Sequence, residues 1–413
     1  MALKVFVTDG DERPALAIAR SLARNAGATV VVGADRQDSL ASSSRYCTHH
    51  VMYPSPAANP NAFSRFLLDL LARERIDVVL PVTDVTTHAV CAHQEAIGRR
   101  AATAVPSLAA FELASDKWAL LQLARWHSVP IPSTEFVSDA AGVAAVIDRV
   151  TYPAVVKPGR SRILTSEGWV TTGVHYADSR AELLRLYEHV AYLARYPSLI
   201  QQRISGPGFG VFFLFDHGLP AAEFAHRRLR EKPPAGGVSV LCESVPVDPV
   251  LREYAIRLLG ALGWHGVAMV EFKQDRETGM FYLMEVNGRF WGSLQLAIDA
   301  GVDFPSLACG LALGRQPEKV AARAGVRSRW LAGDLDHLLL RLFRGDAELR
   351  LDDSAPSRWR TVLQFLEFFG RDLHYDVISA GDPRPFLYEC RRSARALWAS
   401  ATDLGRAKAS AGN

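Results

Sequence analysis

The chain reads as α/β in its first third, α+β across its middle and helical at its end. Three observations predict this class. A strand–helix–strand unit occupies 3–35, two extended runs at 267–273 and 281–287 flank a short polar loop, and apolar residues past Gly314 recur at helical spacing. At 413 residues the chain exceeds one ordinary core, so two or three domains are expected. Lys+Arg 47 against Asp+Glu 44 leaves +3, which falls short of the basic signature of a nucleic-acid binder. A hydrophobic content of 49% with 22% charged residues excludes a largely disordered chain. No apolar run approaches the roughly 18–20 residues that cross a bilayer. The start, MALKVFVTDGDERP, has acidic residues where a signal peptide needs an apolar stretch. Cys47, Cys91, Cys242, Cys309 and Cys390 are odd in number and form no C-x-x-C pair, which points to a reducing cytosol rather than a disulfide framework. A cytoplasmic enzyme without nucleic-acid partner or membrane span is expected.

Residues 3–8, LKVFVT, form a strand that ends at the turn Asp9-Gly10-Asp11. A helix follows with Leu16, Ile18, Ala19, Leu22 and Ala23 on its apolar face, stopped by Gly27 before the strand ATVVVGAD. Helix 63–75 and strand 76–82 complete an α/β domain of about 110 residues, whose first strand–helix turn lacks G-x-G-x-x-G. The turn Asp9–Arg13 either holds a ligand or is solvated. Ser115 is expected to N-cap a helix through Trp126, which VPIP at 129–132 breaks. Helix 139–149, strand Tyr152–Pro158, a turn-rich stretch at 159–172, helix 178–195 and strand Ser198–Ile204 follow. Strands at 211–216 and 219–225 precede a mixed loop, 226–239, and helix 249–262. In the terminal region Trp359, Val362, Leu363, Leu366 and Phe369 read as a packing face, and the tail from 391 reads as frayed.

Glu271 and Glu285 carry the most information. If VAMVEFK (267–273) and FYLMEVN (281–287) pair about residue 278, Glu271 lies directly across from Glu285, on one face with Asn287. Opposed like charges destabilise a sheet and call for a cation. Two carboxylates and an amide oxygen suit Mg²⁺, whereas a one-residue slip sends one Glu to solvent. Arg289 is then either a salt-bridge partner or aimed at a phosphate or carboxylate.

Lys157, at the end of YPAVVKP, is either solvated or a point charge for a phosphate. Lys117 sits in the first turn of a helix, where it opposes the macrodipole, and calls for an anion or for neutralisation by Asp116. The run SLIQQRI (198–204) offers extended backbone to a purine edge, and Gly206, Gly208 and Gly210 are either functional or a turn into the next strand. Arg227, Arg228, Arg230 and Lys232, before a Pro-Pro and Gly-Gly loop, are either a solvated face or a closure over polyphosphate.

Taken in order, Lys117 in a Ser-Asp-Lys helix start, Lys157 in PAVVKP, LIQQRISGPGFG, VAMVEFK and LMEVNGRF resemble the ATP-grasp superfamily of ATP-dependent carboxylate–amine ligases. The resemblance covers roughly 1–315 and implies three regions. These are a pre-ATP-grasp α/β domain at 1–112, a two-subdomain ATP-grasp domain at 113–315 with its lid at about 130–200, and a mostly helical extension at 316–413. It implies that Lys117 and Lys157 contact ATP phosphates, that Gln201, Gln202 and Ile204 line the adenine, and that Glu271, Glu285 and Asn287 hold Mg²⁺ or Mn²⁺. Arg289, with Arg228, would meet the transferred phosphoryl group. The substrates would be a small-molecule carboxylate and an amine, and a homodimer is one use of the terminal extension.

The chain departs from relatives in having no acidic residue between 198 and 215 to bind ribose. Trp291-Gly292-Ser293-Leu294 replaces the Gln-Val-Glu-His of biotin carboxylases. The chemistry implied is acyl phosphate formation followed by amine attack, carried by positioning and charge neutralisation. A carbamoyl-phosphate-synthase-like, carboxyphosphate-forming enzyme and a non-catalytic nucleotide-binding protein are the alternatives. No P-loop or protein-kinase motif is present.

Overall fold

The structure, a computed structural model, describes residues 2–351 and 354–395; the frayed-tail expectation falls largely on 396–413, outside the described residues. Strands β1 (Lys4–Val7), β2 (Thr29–Ala34), β3 (His49–Met52) and β4 (Val78–Leu80) form a parallel sheet in the order β3-β2-β1-β4. Helix Arg13–Asn25 buries Leu16, Ile18, Ala19 and Leu22, as their spacing requires, and Gly27 reverses the chain with φ 59°.

One expected cap moves by a residue. Ser115 closes the helix Leu108–Ser115, and Asp116 instead caps Lys117–Trp126, accepting from the backbone N–H groups of Trp118 (3.1 Å) and Ala119 (3.0 Å). Two helices therefore meet at one residue, where a carboxylate caps better than a hydroxyl already inside a helix.

Next come β5 (Thr134–Val137), β6 (Ala154–Pro158), β7 (Arg162–Thr165), β8 (Gly168–Thr171), β9 (His175–Ala177) and β10 (Ser198–Gln202). Four of them make an antiparallel sheet, β5-β10-β6-β9, with a separate core that includes Val137, Val156, Leu183, Leu193 and Ile200. The stretch 159–172, expected as turns, contains the hairpin β7–β8. Four-residue strands give little periodicity; tertiary contacts order them. The Trp169 backbone N–H donates to the Ala57 carbonyl (2.8 Å), and its ring stands edge-on to His88 with centroids 5.2 Å apart. The hairpin thereby reaches across to the N-terminal sheet.

The largest sheet comprises β11 (Gly208–Asp216), β12 (Leu219–Lys232), β13 (Val238–Val245), β14 (Gly266–Gln274), β15 (Phe281–Asn287), β16 (Arg327–Arg329) and β17 (Leu373–Tyr375). Its order is β15-β14-β11-β12-β13-β16-β17, so the terminal region adds two edge strands as well as helices Leu331–Phe343 and Arg358–Phe365. The expected loop 226–239 is strand through Lys232. Its cations alternate faces, and each finds a carboxylate: Arg227 with Glu243 (2.7 Å), Arg228 with Glu231 (2.9 Å) and Glu271, Arg230 with Asp334 (2.6 Å). The expected packing face at 359–369 is also revised. Helix Arg358–Phe365 buries Thr361 and leaves Trp359 70% exposed, and Phe369, beyond the helix, is 97% exposed.

Candidate active site

β14 and β15 pair with Met269 opposite Asn287, Val270 opposite Val286 and Glu271 opposite Glu285, the expected opposition. Nearer the turn, however, Phe272 pairs with Leu283 and Gln274 with Phe281, so a bulge between Glu271 and Phe272 shifts the register by one residue to align the two carboxylates. The Asn287 amide nitrogen donates to Glu271 Oε1 and Glu285 Oε1, both at 3.1 Å. Arg228 reaches the pair from β12 and ion-pairs with Glu271. It can cross because Gly208 intervenes on β11; a Cβ there would lie 3.3 Å from the Arg228 side chain. Of the three glycines, only Gly206 has a positive φ, 149°, so it alone makes the turn, while Gly208 and Gly210 lie within the strand.

The two carboxyls differ electrostatically. Burial pushes Glu271 up, and Arg228 only partly offsets it; the nearby Glu285 raises it further. Burial also opposes ionisation of Glu285, but Lys117, the Asn287 hydrogen bond, Lys157 and Arg289 outweigh it and hold the group below its usual range. The two carboxylates are hard oxygen donors that fit a small divalent cation such as Mg²⁺, whereas Asn287 turns its amide nitrogen to them and its oxygen to Arg289, so it would join the donor set only with its amide reversed.

Lys157 ends β6, and its Nζ donates to Gln201 Oε1 (2.8 Å), whose amide nitrogen donates to Thr134 Oγ1 (3.1 Å). Burial lowers the Lys157 ammonium pKa to about 8, and Lys117 and Lys273 add to this while Glu285 opposes it. Lys117 is buried, and its Nζ donates to Ser161 Oγ (2.7 Å) rather than pairing with Asp116. The Gln202 N–H donates to the Ser133 carbonyl (2.8 Å), and the Ile204 carbonyl accepts from Lys273 Nζ (3.3 Å). Strand β15 stops at Asn287, so Arg289 lies beyond it and reaches back: Nη2 donates to Asn287 Oδ1 (3.0 Å) and Nε to Asp84 Oδ2 (3.3 Å).

Lys157, Gln201, Gln202, Ile204, Arg228, Glu271, Glu285, Asn287 and Arg289 all line one cavity of about 810 Å³. Lys117 is not in its wall but acts electrostatically on both Lys157 and Glu285. The turn Asp9–Arg13, Tyr53 and Asp84 close the cavity from the N-terminal sheet, at the carboxyl ends of its strands.

Among the wall residues, the sequence reading gives His226 no role and notes Trp291 and Ser293 only as a departure from biotin carboxylases. His226, Trp291 and Ser293 are buried, and His226 Nδ1 lies 3.2 Å from Ser293 Oγ. His226 Nε2 leans over Gly210, 2.9 Å from where a Cβ would stand, and has no hydrogen-bond partner; Trp291 Nε1 and Arg228 Nε share that condition. Burial, with Arg228 beside it, holds His226 well below the ordinary histidine range, so its imidazole is neutral. Reading 226–239 as a loop hid it. Among the described residues no helix is long and apolar enough to cross a membrane.

A sequence profile of the family described as ATP-grasp in the biosynthetic pathway with Ter operon matches residues 197–333. The carbamoyl phosphate synthase large chain, N-terminal section, of Methanopyrus kandleri is 26% identical over 216 residues, 46% of this chain and 34% of that protein. The D-alanine–D-alanine ligase of Marinobacter nauticus is 29% identical over 185 residues, 42% of this chain and 53% of that one. The chain thus spans about a third to a half of the length of these relatives. Among solved structures, the ADP complex of N5-carboxyaminoimidazole ribonucleotide synthetase superposes with a TM-score of 0.63 at 12% identity, covering 83% of this chain and 85% of that one, which is a likeness of fold.

Proposed function

The chain belongs to the ATP-grasp superfamily, and on that premise we propose that it is an ATP- and Mg²⁺-dependent ligase joining a small-molecule carboxylate to an amine. The observation that carries the reading is the direct opposition of Glu271 and Glu285 in a cavity that also holds Lys157, Arg228 and Arg289. Lys157 contacts the ATP phosphates, Lys117 adds its charge from behind the cavity wall, and Gln201, Gln202 and Ile204 line the adenine. Glu271 and Glu285, with Asn287 once its amide is reversed, hold Mg²⁺, with Mn²⁺ as a substitute; when bound it neutralises phosphate charge and fixes the triphosphate geometry. The substrate carboxylate oxygen attacks the γ-phosphorus, the bond to ADP breaks, and an acyl phosphate forms. The amine then attacks the acyl carbon, phosphate leaves and the amine proton passes to solvent. Arg289 and Arg228 face the transferred phosphoryl group, so catalysis is positioning and charge neutralisation without a protein nucleophile.

An ADP-release screen over amino acids, sugar acids and amines tests this. Substrate-dependent ADP and phosphate, without AMP, is the expected result; AMP and pyrophosphate, or nucleotide binding without turnover across the panel, would sink it. The likeness to a carbamoyl phosphate synthase section favours one second reading, a carboxyphosphate-forming enzyme, for which bicarbonate alone would stimulate ATP hydrolysis.

Lys157 sets a pH dependence. Its pKa in the nucleotide-free protein is lowered to about 8, so the ammonium is present below that pH and lost as pH rises through it. ATP affinity measured by calorimetry should fall by about tenfold from pH 7 to 9, and Lys157→Met should flatten that slope at a uniformly weaker affinity. His226, neutral and buried in the cavity wall, is assigned to shaping the carboxylate pocket. His226→Phe should raise the KM for the carboxylate by about tenfold or more while leaving the KM for ATP unchanged. An increase in both would assign His226 to packing.

A further inference from the structure

At the end of the largest sheet remote from the acidic pair, the turn between β11 and β12 carries Asp216 and His217, and His265 immediately precedes β14. The two segments are fastened together. Phe215 pairs with Gly266, and the Gly218 N–H donates to the Trp264 carbonyl (2.7 Å). His217 adopts φ 43°, a left-handed conformation uncommon outside glycine, and its ring lies over that of His265 with centroids 4.2 Å apart.

Asp216 Oδ1 stands 3.5 Å from His265 Nδ1 and 3.9 Å from His217 Nε2. These separations are long for hydrogen bonds, and His265 Nδ1 is buried without a hydrogen-bond partner. One ligand atom from each of the three residues lies within 4.8 Å of the others, the one such cluster found among the described residues. In a tetrahedral site with metal–donor distances of about 2.0–2.1 Å, neighbouring donors sit about 3.3–3.4 Å apart. The two distances from Asp216 exceed that spacing by a few tenths of an ångström, and the imidazole planes lie within 15° of parallel, so the exposed His217 ring must turn for both nitrogens to meet one ion.

We propose that Asp216, His217 and His265 form a binding site for one Zn²⁺-class transition metal, with the fourth position open to water. Two imidazoles and one carboxylate suit zinc rather than magnesium, which prefers oxygen alone. The His217 side chain is 81% exposed, which gives the ion an entry path, whereas His265 at 14% is the fixed anchor. Bound metal would staple the β11–β12 turn to the start of β14. Glu271 lies five residues along β14 from Gly266, about 17 Å away, so the site stabilises the sheet rather than taking part in ligation.

The test uses the full chain, treated with chelator and held in excess Mg²⁺ so that the acidic pair does not compete. Calorimetric titration with Zn²⁺ should give one ion per chain, Zn²⁺ should raise Tm, and Co²⁺ should show tetrahedral absorption. His217→Ala, on an exposed turn, should weaken Zn²⁺ binding more than about tenfold and abolish the Tm rise, while leaving ADP release unchanged. His265→Ala should do likewise to binding. Failure of the chain to bind Zn²⁺, or undiminished binding in His217→Ala, overturns the proposal. Loss of that binding in Glu285→Gln would do so too, by assigning the ion to the other site.

Discussion

Glu285→Gln should lower substrate-dependent ADP release by about a thousandfold, equivalent to about 4 kcal/mol of transition-state stabilisation. The substitution preserves shape and an acceptor for the Asn287 amide, so the change is one of charge. Glu285 is the member of the pair that Lys117, Lys157 and Arg289 keep ionised, whereas Glu271 already ion-pairs with Arg228. Glu271→Gln should therefore cost less than Glu285→Gln. A coupled ADP-release assay, with Mg²⁺ titrated at fixed ATP, measures both. Turnover of Glu285→Gln within about tenfold of the unmodified protein would remove the carboxylate pair from the mechanism.

Arg289→Lys should reduce kcat by about a hundredfold with little change in the KM for ATP. The guanidinium makes three contacts in different directions: to Asp84 at 3.3 Å, to Asn287 Oδ1 at 3.0 Å and to the Phe290 carbonyl at 3.0 Å. A lysine has one nitrogen on a flexible stem and cannot reproduce them together. It would leave the Asn287 amide free to turn and would loosen the tie between the β15 end and the N-terminal turn. Steady-state kinetics separate the possibilities. A rise in ATP KM alone would make Arg289 a nucleotide-binding residue, and unchanged kinetics would make its contacts purely structural.

The residues that the sequence revealed are those whose partners lie nearby in the chain. Glu271 meets Glu285 across a single hairpin, close enough in sequence for strand alternation and the turn to place them to within one residue; a bulge between Glu271 and Phe272 supplies the last step of register. Lys157 and Gln201 were recognisable for a different reason, the order of several motifs along the chain. The stretches misread as irregular, 159–172 and 226–239, lack that local signal. The hairpin at 162–171 is ordered by Trp169 against Ala57 and His88, and Arg227, Arg228 and Arg230 become strand residues because carboxylates on distant segments neutralise them.

Local periodicity and turn chemistry thus determined the fold class and brought the acidic pair to within one residue of its register, and motif order singled out the lysine near the end of β6. The tertiary structure alone decided that β11 lies between β14 and β12, which brings Arg228 to Glu271 over Gly208, leans His226 over Gly210 and sets His265 beside Asp216. Strand order arises from the packing of whole faces against a shared core, a free energy summed over residues far apart in sequence. No short window of residues contains it.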